Sequence, residues 1–140
     1  MTKWTVTHEG QGKPLKVLVE EANVLMGMKR TMLAQEARAL LLGEDAANPD
    51  AQINLPDGDE LALFLLRRHT YPNCIAATVK SEGFDHTTLT FEEFCLLPDR
   101  FVDDWENAAL DFNPHWRLII PDTKEKEAEE KKDEAASKTG

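Results

Sequence analysis

Chemistry at a protein site needs a nucleophile with a base, paired carboxylates, or metal ligands at short fixed spacing. By residue type the candidates are Cys74, Cys95, His8, His69, His86 and His115. Four residues separate His69 from Cys74, and His86 precedes Cys95 by nine positions, so a Cys2His2 zinc centre can be drawn. Structural zinc is normally held by two close-spaced ligand pairs, however, and the chain contains neither a CxxC nor an HxxxH. Pro72 interrupts the first pair, and a loop with a helix start at Thr90 separates the second. A Cys–His nucleophile is no better supported, because nothing local sets either thiol at an electropositive helix start. Both cysteines are expected in the core. The acidic pairs Glu20-Glu21, Glu92-Glu93 and Asp103-Asp104 read as solvated faces; near a helix start an acid gains about 0.3–1 kcal/mol from the macrodipole. Gly12-Lys13 lacks the spacing of a phosphate loop, with Pro14 where that motif requires Ser or Thr. The sequence therefore assigns no catalytic residue, no metal ligand and no cofactor, and an enzyme is not expected.

Side chains suited to binding are more prominent. Three of the four methionines, Met26, Met28 and Met32, fall on one predicted helix, where Met28 and Met32 share a face. Methionine adapts to irregular or changing apolar partners, so these residues either fill the core side of a broad helix or line a partner groove. Phe101, Trp105, Ala108 and Phe112 recur at spacings of four, three and four, the clearest amphipathic pattern in the chain. Met28, Met32, Phe101, Trp105 and Phe112 are thus the partner-binding candidates, with ordinary core packing as their competing role.

The elements that must position these residues follow from periodicity and breakers. Trp4 and Val6, then Leu15, Val17 and Val19, alternate apolar and polar around Gly10–Pro14, which predicts an N-terminal β-hairpin. Glu20–Leu42 has no proline and many good helix formers. Its apolar residues form two rows, Leu25, Met28, Met32, Ala39 and Met26, Leu33, Ala37, Leu40, so a long, broadly buried helix is expected. Gly43 stops it, and 45–56 reads as a loop. Asp57 with Glu60 resembles a capping box opening a helix through Arg68, apolar on nearly every side and expected to be the central core helix. Pro72 starts a further helix, from Asn73 to about Lys80. Thr90 and Glu93 form a second capping box, Pro98 opens the helix bearing the aromatic stripe, and Asn113-Pro114 ends it. His115 to Ile120 is a closing apolar segment that either packs on the core or adds a strand.

At 140 residues the chain suits a single domain, and 41% hydrophobic residues suffice for a core. The expected fold is mainly α: a compact helical domain with an N-terminal β-hairpin over 1–121, then a disordered charged tail over 122–140. That tail holds five lysines against seven acids, and its only apolar side chains are alanines. It accounts for little of the formal charge of -10, so the acidity belongs to the domain. A phosphate-backbone binder is disfavoured, since the basic residues form no stripe and the pairs Lys29-Arg30 and Arg67-Arg68 stand apart. The longest apolar run, Leu61–Leu66, is far below the roughly 20 residues of a membrane span. The first residues show no secretion signal, and a cytosolic protein is expected.

Leu97-Pro98-Asp99-Arg100-Phe101-Val102-Asp103-Asp104-Trp105, running through Asn107–Phe112 into Asn113-Pro114-His115-Trp116, resembles the tail assembly chaperones of long-tailed bacteriophages. The likeness is best over Thr90–Trp116; the methionine-bearing helix and Leu61–Val79 agree only in layout. It implies a largely helical, self-associating protein in the host cell cytoplasm, without catalytic residues. Such a protein coats the tape measure protein and keeps it soluble until tail tube subunits replace it. Neither nucleic acid nor membrane is an expected partner. A competing reading from the charge alone is an acidic nucleic-acid mimic that occupies a host DNA-binding protein. That mimicry needs acids regularly placed along one face, whereas here most are interspersed with Lys and Arg or serve as caps.

Overall fold

Every residue from Tyr71 to Ala77 is buried, and the rest of the fold is arranged around this short helix. The computed structural model describes residues 3–10, 12–43, 50 and 57–117. In order they form β1 (Val6–His8), β2 (Leu15–Val19), α1 (Val24–Leu42), α2 (Gly58–Leu65), a π-helical turn (Leu66–Thr70), α3 (Tyr71–Ala77), β3 (Thr78–Glu82), α4 (Phe91–Phe94), α5 (Asp99–Phe112) and a 3-10 turn (Pro114–Trp116). The loop expected at 45–56, except Asp50, the apolar residues 118–120 and the tail 122–140 lie outside the described residues.

The helical run from Gly58 to Ala77 is continuous because it absorbs a proline. Pro72 has no N–H, and its ring crowds the carbonyl one turn earlier. Just before it the helix widens, and the Tyr71 N–H reaches back five residues to the Leu66 carbonyl. The run ends where β-branched Thr78 and Val79 enter extended backbone. The Thr78 hydroxyl donates to the Cys74 carbonyl at 2.7 Å and accepts from the Trp105 indole N–H at 2.7 Å. One side chain thereby closes α3 and ties α5 to it.

Two expectations change here. Residues 78–80, expected at the end of a helix, instead begin β3, which pairs antiparallel with β2 from Val19↔Thr78 to Lys16↔Glu82. The N-terminal hairpin is therefore part of a three-stranded antiparallel sheet, order β1-β2-β3, and the fold is helix-rich with a sheet rather than simply mainly α. Gly83 turns the chain at φ +89°, and a Cβ there would collide with the Pro14 carbonyl, so this turn requires glycine. The central core helix is α3, not 58–68: α2 has no buried residue, and Asp57 makes no side-chain cap bond.

The core lies between α3, α5, α4 and the sheet. Trp105, Phe101, Phe94, Val17 and Cys74 are fully or almost fully buried. Trp105 meets Phe84, Phe94 and Phe101 with ring centroids 5.5–5.8 Å apart, in tilted and edge-on contacts favoured by the ring quadrupoles. The Thr90–Glu93 capping box forms as the sequence predicts. Asn113 ends α5 and explains its place before Pro114. Fully buried, it accepts from the Ala22 N–H at 2.8 Å and donates to the carbonyls of Glu20 at 3.2 Å and Ala109 at 3.1 Å. It thus clamps the segment leading into α1.

Candidate interaction surface

α1 begins at Val24, four residues later than the composition suggests, because the Asn23 side chain caps it by accepting from the Met26 N–H at 2.9 Å. Its contact with α3 and the π-helical turn is narrow. Only Ala34 and Ala37 are buried, and their small side chains let the helices approach closely. Arg30 fixes the rotation of the helix: its Nε donates to the Asn73 Oδ1 at 2.6 Å, and its guanidinium lies 5.0 Å from the centre of the buried Trp116 ring. Burial, with the nearby Arg68, lowers the pKa of Arg30 from its ordinary value, but a guanidinium remains charged at neutral pH.

This rotation separates the two apolar rows. Ala37 is buried and Met26 and Leu33 are half-buried, while Leu25, Met28, Met32 and Ala39 face solvent. Leu25 is 74% exposed, Met28 and Met32 are each 56%, and at the helix ends Val24 is 80% and Leu40 62%. The expectation of a broadly buried helix fails because one helix cannot seat two rows about a quarter-turn or more apart against a single neighbour. A second apolar feature adjoins the C-terminal half of α1. Leu40, Leu41, Leu63, Phe64 and Phe91 line a cleft of about 250 Å³ between α1 and α2.

The five sequence-derived binding candidates therefore divide. Met28 and Met32 stand together on the outward face of α1. Phe101 and Trp105 are fully buried and so are core residues, not contact residues; a helix carrying one sharp aromatic stripe presents that stripe to the interior. Phe112 continues the stripe in angle but comes at the last helical position, past the end of the core. It is 46% exposed and lines a cleft with Thr5, Val6 and Thr7, against the sheet and away from α1. The exposed Val24, Leu25 and Leu40 were not among the candidates. The signal that would have found them is the Arg30, Ala34, Ala37 line, whose small residues and single cation mark the inward side.

The titratable candidates are spread out. Cys74 is buried, with its thiol pushed well above the ordinary value by burial and then by Glu106. Cys95 is exposed rather than in the core, and partial burial followed by Glu92 raises its thiol too. Both thiols are protonated at neutral pH and poorly nucleophilic. His69 shares a 3.3 Å contact with Asn73, and burial, then Arg30 and Arg68, lowers its pKa. His86 contacts the Ser81 hydroxyl through Nδ1 at 2.7 Å and is lowered mainly by burial. Among the described residues no three His, Cys, Asp or Glu side chains converge as a metal-ligand group, and no helix is long and apolar enough to cross a membrane.

Several acids have structural partners. Glu82, Glu92 and Asp111 pair with Lys16, Arg67 and Arg117 at 3.5, 3.7 and 2.9 Å. Glu93 closes the α4 capping box, and Asp85 accepts from the Thr87 N–H and hydroxyl. Comparison of the chain with protein-family models, curated proteins and solved structures gave no significant match.

Proposed function

We propose that this protein is a tail assembly chaperone of the kind made by long-tailed bacteriophages. In this reading it binds amphipathic helical segments of the tape measure protein in the host cell cytoplasm and keeps them in solution until tail tube subunits take over. The observation that carries it is the outward row Leu25, Met28, Met32 on α1, held away from the core by the Arg30 and Ala34/Ala37 contacts. An apolar helix stripe is what a second amphipathic helix docks against, and methionine tolerates clients of varied shape. The acidic charge of the domain opposes precipitation of chaperone and complex alike. The nucleic-acid-mimic alternative gains no specific observation, since Glu82, Glu92, Glu93 and Asp111 are engaged in pairs or caps.

The test is co-expression with an aggregation-prone tape measure segment. Wild type should raise the soluble yield of the segment, and Met32→Asp should abolish most of the gain. Because Met32 is exposed, that substitution should change the stability of the chaperone itself, measured by urea unfolding, by no more than about 0.5 kcal/mol. Equal client yield with and without the protein would refute the proposal. Phe101→Asp is unsuitable as a contact probe, because Phe101 is core and its loss would report unfolding.

A further inference from the structure

β1 stands at one edge of the sheet, and among the described residues no strand pairs with its outer side. α5 runs beside that side, with a cleft of about 460 Å³ between the two that no β2 residue lines. Val6, Ala108 and the half-exposed Phe112 give the cleft an apolar floor, while Asp104 and Asp111 stand along its helix wall. The two elements run in opposite directions. His8 meets Phe101 near the start of α5, with ring centres 6.1 Å apart, so Thr5, just before β1, lies toward Asp111 and Phe112.

The chain returns to this end of the cleft at Arg117. Its backbone there is extended, with φ -61° and ψ 130°, and its guanidinium holds the Asp111 carboxylate at 2.9 Å. Leu118, Ile119 and Ile120 come next in the sequence, apolar residues that suit a strand, and Pro121 follows them. Three extended residues reach about 10 Å, the same length as the seven helical positions from Asp111 back to Asp104. Pro121 has no N–H with which to continue a ladder. Successive strand residues face opposite ways. Arg117, turned to Asp111, therefore directs Ile119 toward Ala108 and Phe112 and leaves Leu118 and Ile120 beside Thr5 and Thr7.

We propose that residues 118–120 add a fourth strand to the sheet, parallel to β1, in the groove between β1 and α5. A groove between an edge strand and a helix is suited to an extended peptide, and here the molecule supplies its own. An open sheet edge invites pairing with foreign chains, which a segment of the same chain laid along it prevents. The added strand covers Phe112 and leaves the outward row of α1 untouched, so the inference does not rest on the client reading.

The experiment is amide hydrogen exchange and methyl–aromatic NMR on the full chain at two protein concentrations tenfold apart. In a docked strand alternate amides face β1, so alternate amides within 118–120 should exchange at least about a hundredfold more slowly than random coil, equally at both concentrations. The Ile119 methyls should show contacts to the Phe112 ring. Ile119→Asp should return 118–120 to coil rates and speed the outward amides of β1 about tenfold, with core amides such as those of α3 unchanged. Asp111→Asn, which takes the carboxylate from Arg117, should reduce the protection about threefold, and Ile120→Thr should preserve it. Coil-rate exchange at 118–120 in the wild type would overturn the proposal. So would protection that appears only at the higher concentration, which would mean that a second copy fills the edge, or Ile119 contacts to α1 in place of Phe112.

Discussion

Replacing Asn113 by alanine tests whether one buried amide seats α1. The substitution deletes the acceptor for the Ala22 N–H and the donor to the Glu20 carbonyl, which connect the start of α1 to the end of α5. The Ala109 carbonyl keeps its bond from the residue 113 backbone N–H at 3.0 Å, so it is not orphaned. A half-buried N–H left without a partner costs about 1–3 kcal/mol, and the small void and the second lost bond bring the sum to about 3 kcal/mol. With a urea slope of about 1.5 kcal/mol/M for a domain of this size, the midpoint should fall by about 2 M. Amide exchange should accelerate most at residues 20–26, ahead of the core. Asn113→Asp adds a sign. Two carbonyl oxygens face the new carboxyl, so its neutral form is favoured in the fold and its folded pKa is raised. Stability of that variant should therefore be greatest in acid and fall as pH rises above the unfolded carboxyl value near 3.9. A midpoint shift below about 0.5 M for Asn113→Ala, or uniform exchange along the chain, would refute the clamp.

Three further outcomes are expected. Gly83→Ala should destabilise by more than about 2 kcal/mol in urea melts, because positive φ and the Pro14 carbonyl both oppose a Cβ and the sheet must shift to admit it. Thr78→Val should cost about 2 kcal/mol with little change in volume, since it strands the buried Trp105 indole N–H; urea melts followed by the shift of tryptophan emission to longer wavelength on unfolding measure the loss. Stability should drop on acidification from pH 7.5 to 5.5, because His69 and His86 are held neutral by burial. The unfolded chain takes up protons first, so their contribution is complete above the ordinary histidine value near 6.5 and is lost as pH falls through it toward the lowered folded values. The paired variant His69→Gln/His86→Asn should flatten that slope.

Local signals carried much of the secondary structure. Alternation found β1 and β2, the Thr90–Glu93 box found α4, and Pro98 and Asn113-Pro114 bounded α5. What misled was apolar content without direction. Leu61–Leu66 reads as interior by composition, yet α2 contributes no buried residue, while the modest Asn73, Cys74, Ala76 and Ala77 stretch is the centre. Small side chains make α3 a good axle because α1, α5 and the π-helical turn can all approach it, a tertiary fact without a periodic signature. Thr78–Glu82 became a strand because β2, some sixty residues earlier, offered a free edge. The binding candidates divided for the same reason: the stripe on α5 was correctly detected, but an unambiguous stripe marks the interior. The two-row ambiguity of α1 was the real indication of a surface left over.

The tie between Ala22 and Asn113 spans 91 positions, and strand pairing joins Lys16 to Glu82. Closure of this fold therefore waits for distant parts of the chain to meet, which slows the approach to the native state relative to a bundle of neighbouring helices. During synthesis, α1 leaves the ribosome long before Trp116 and Asn113 exist to seat it. Until then its greasy side chains have no fixed inner and outer side, and a nascent molecule is itself in need of shelter.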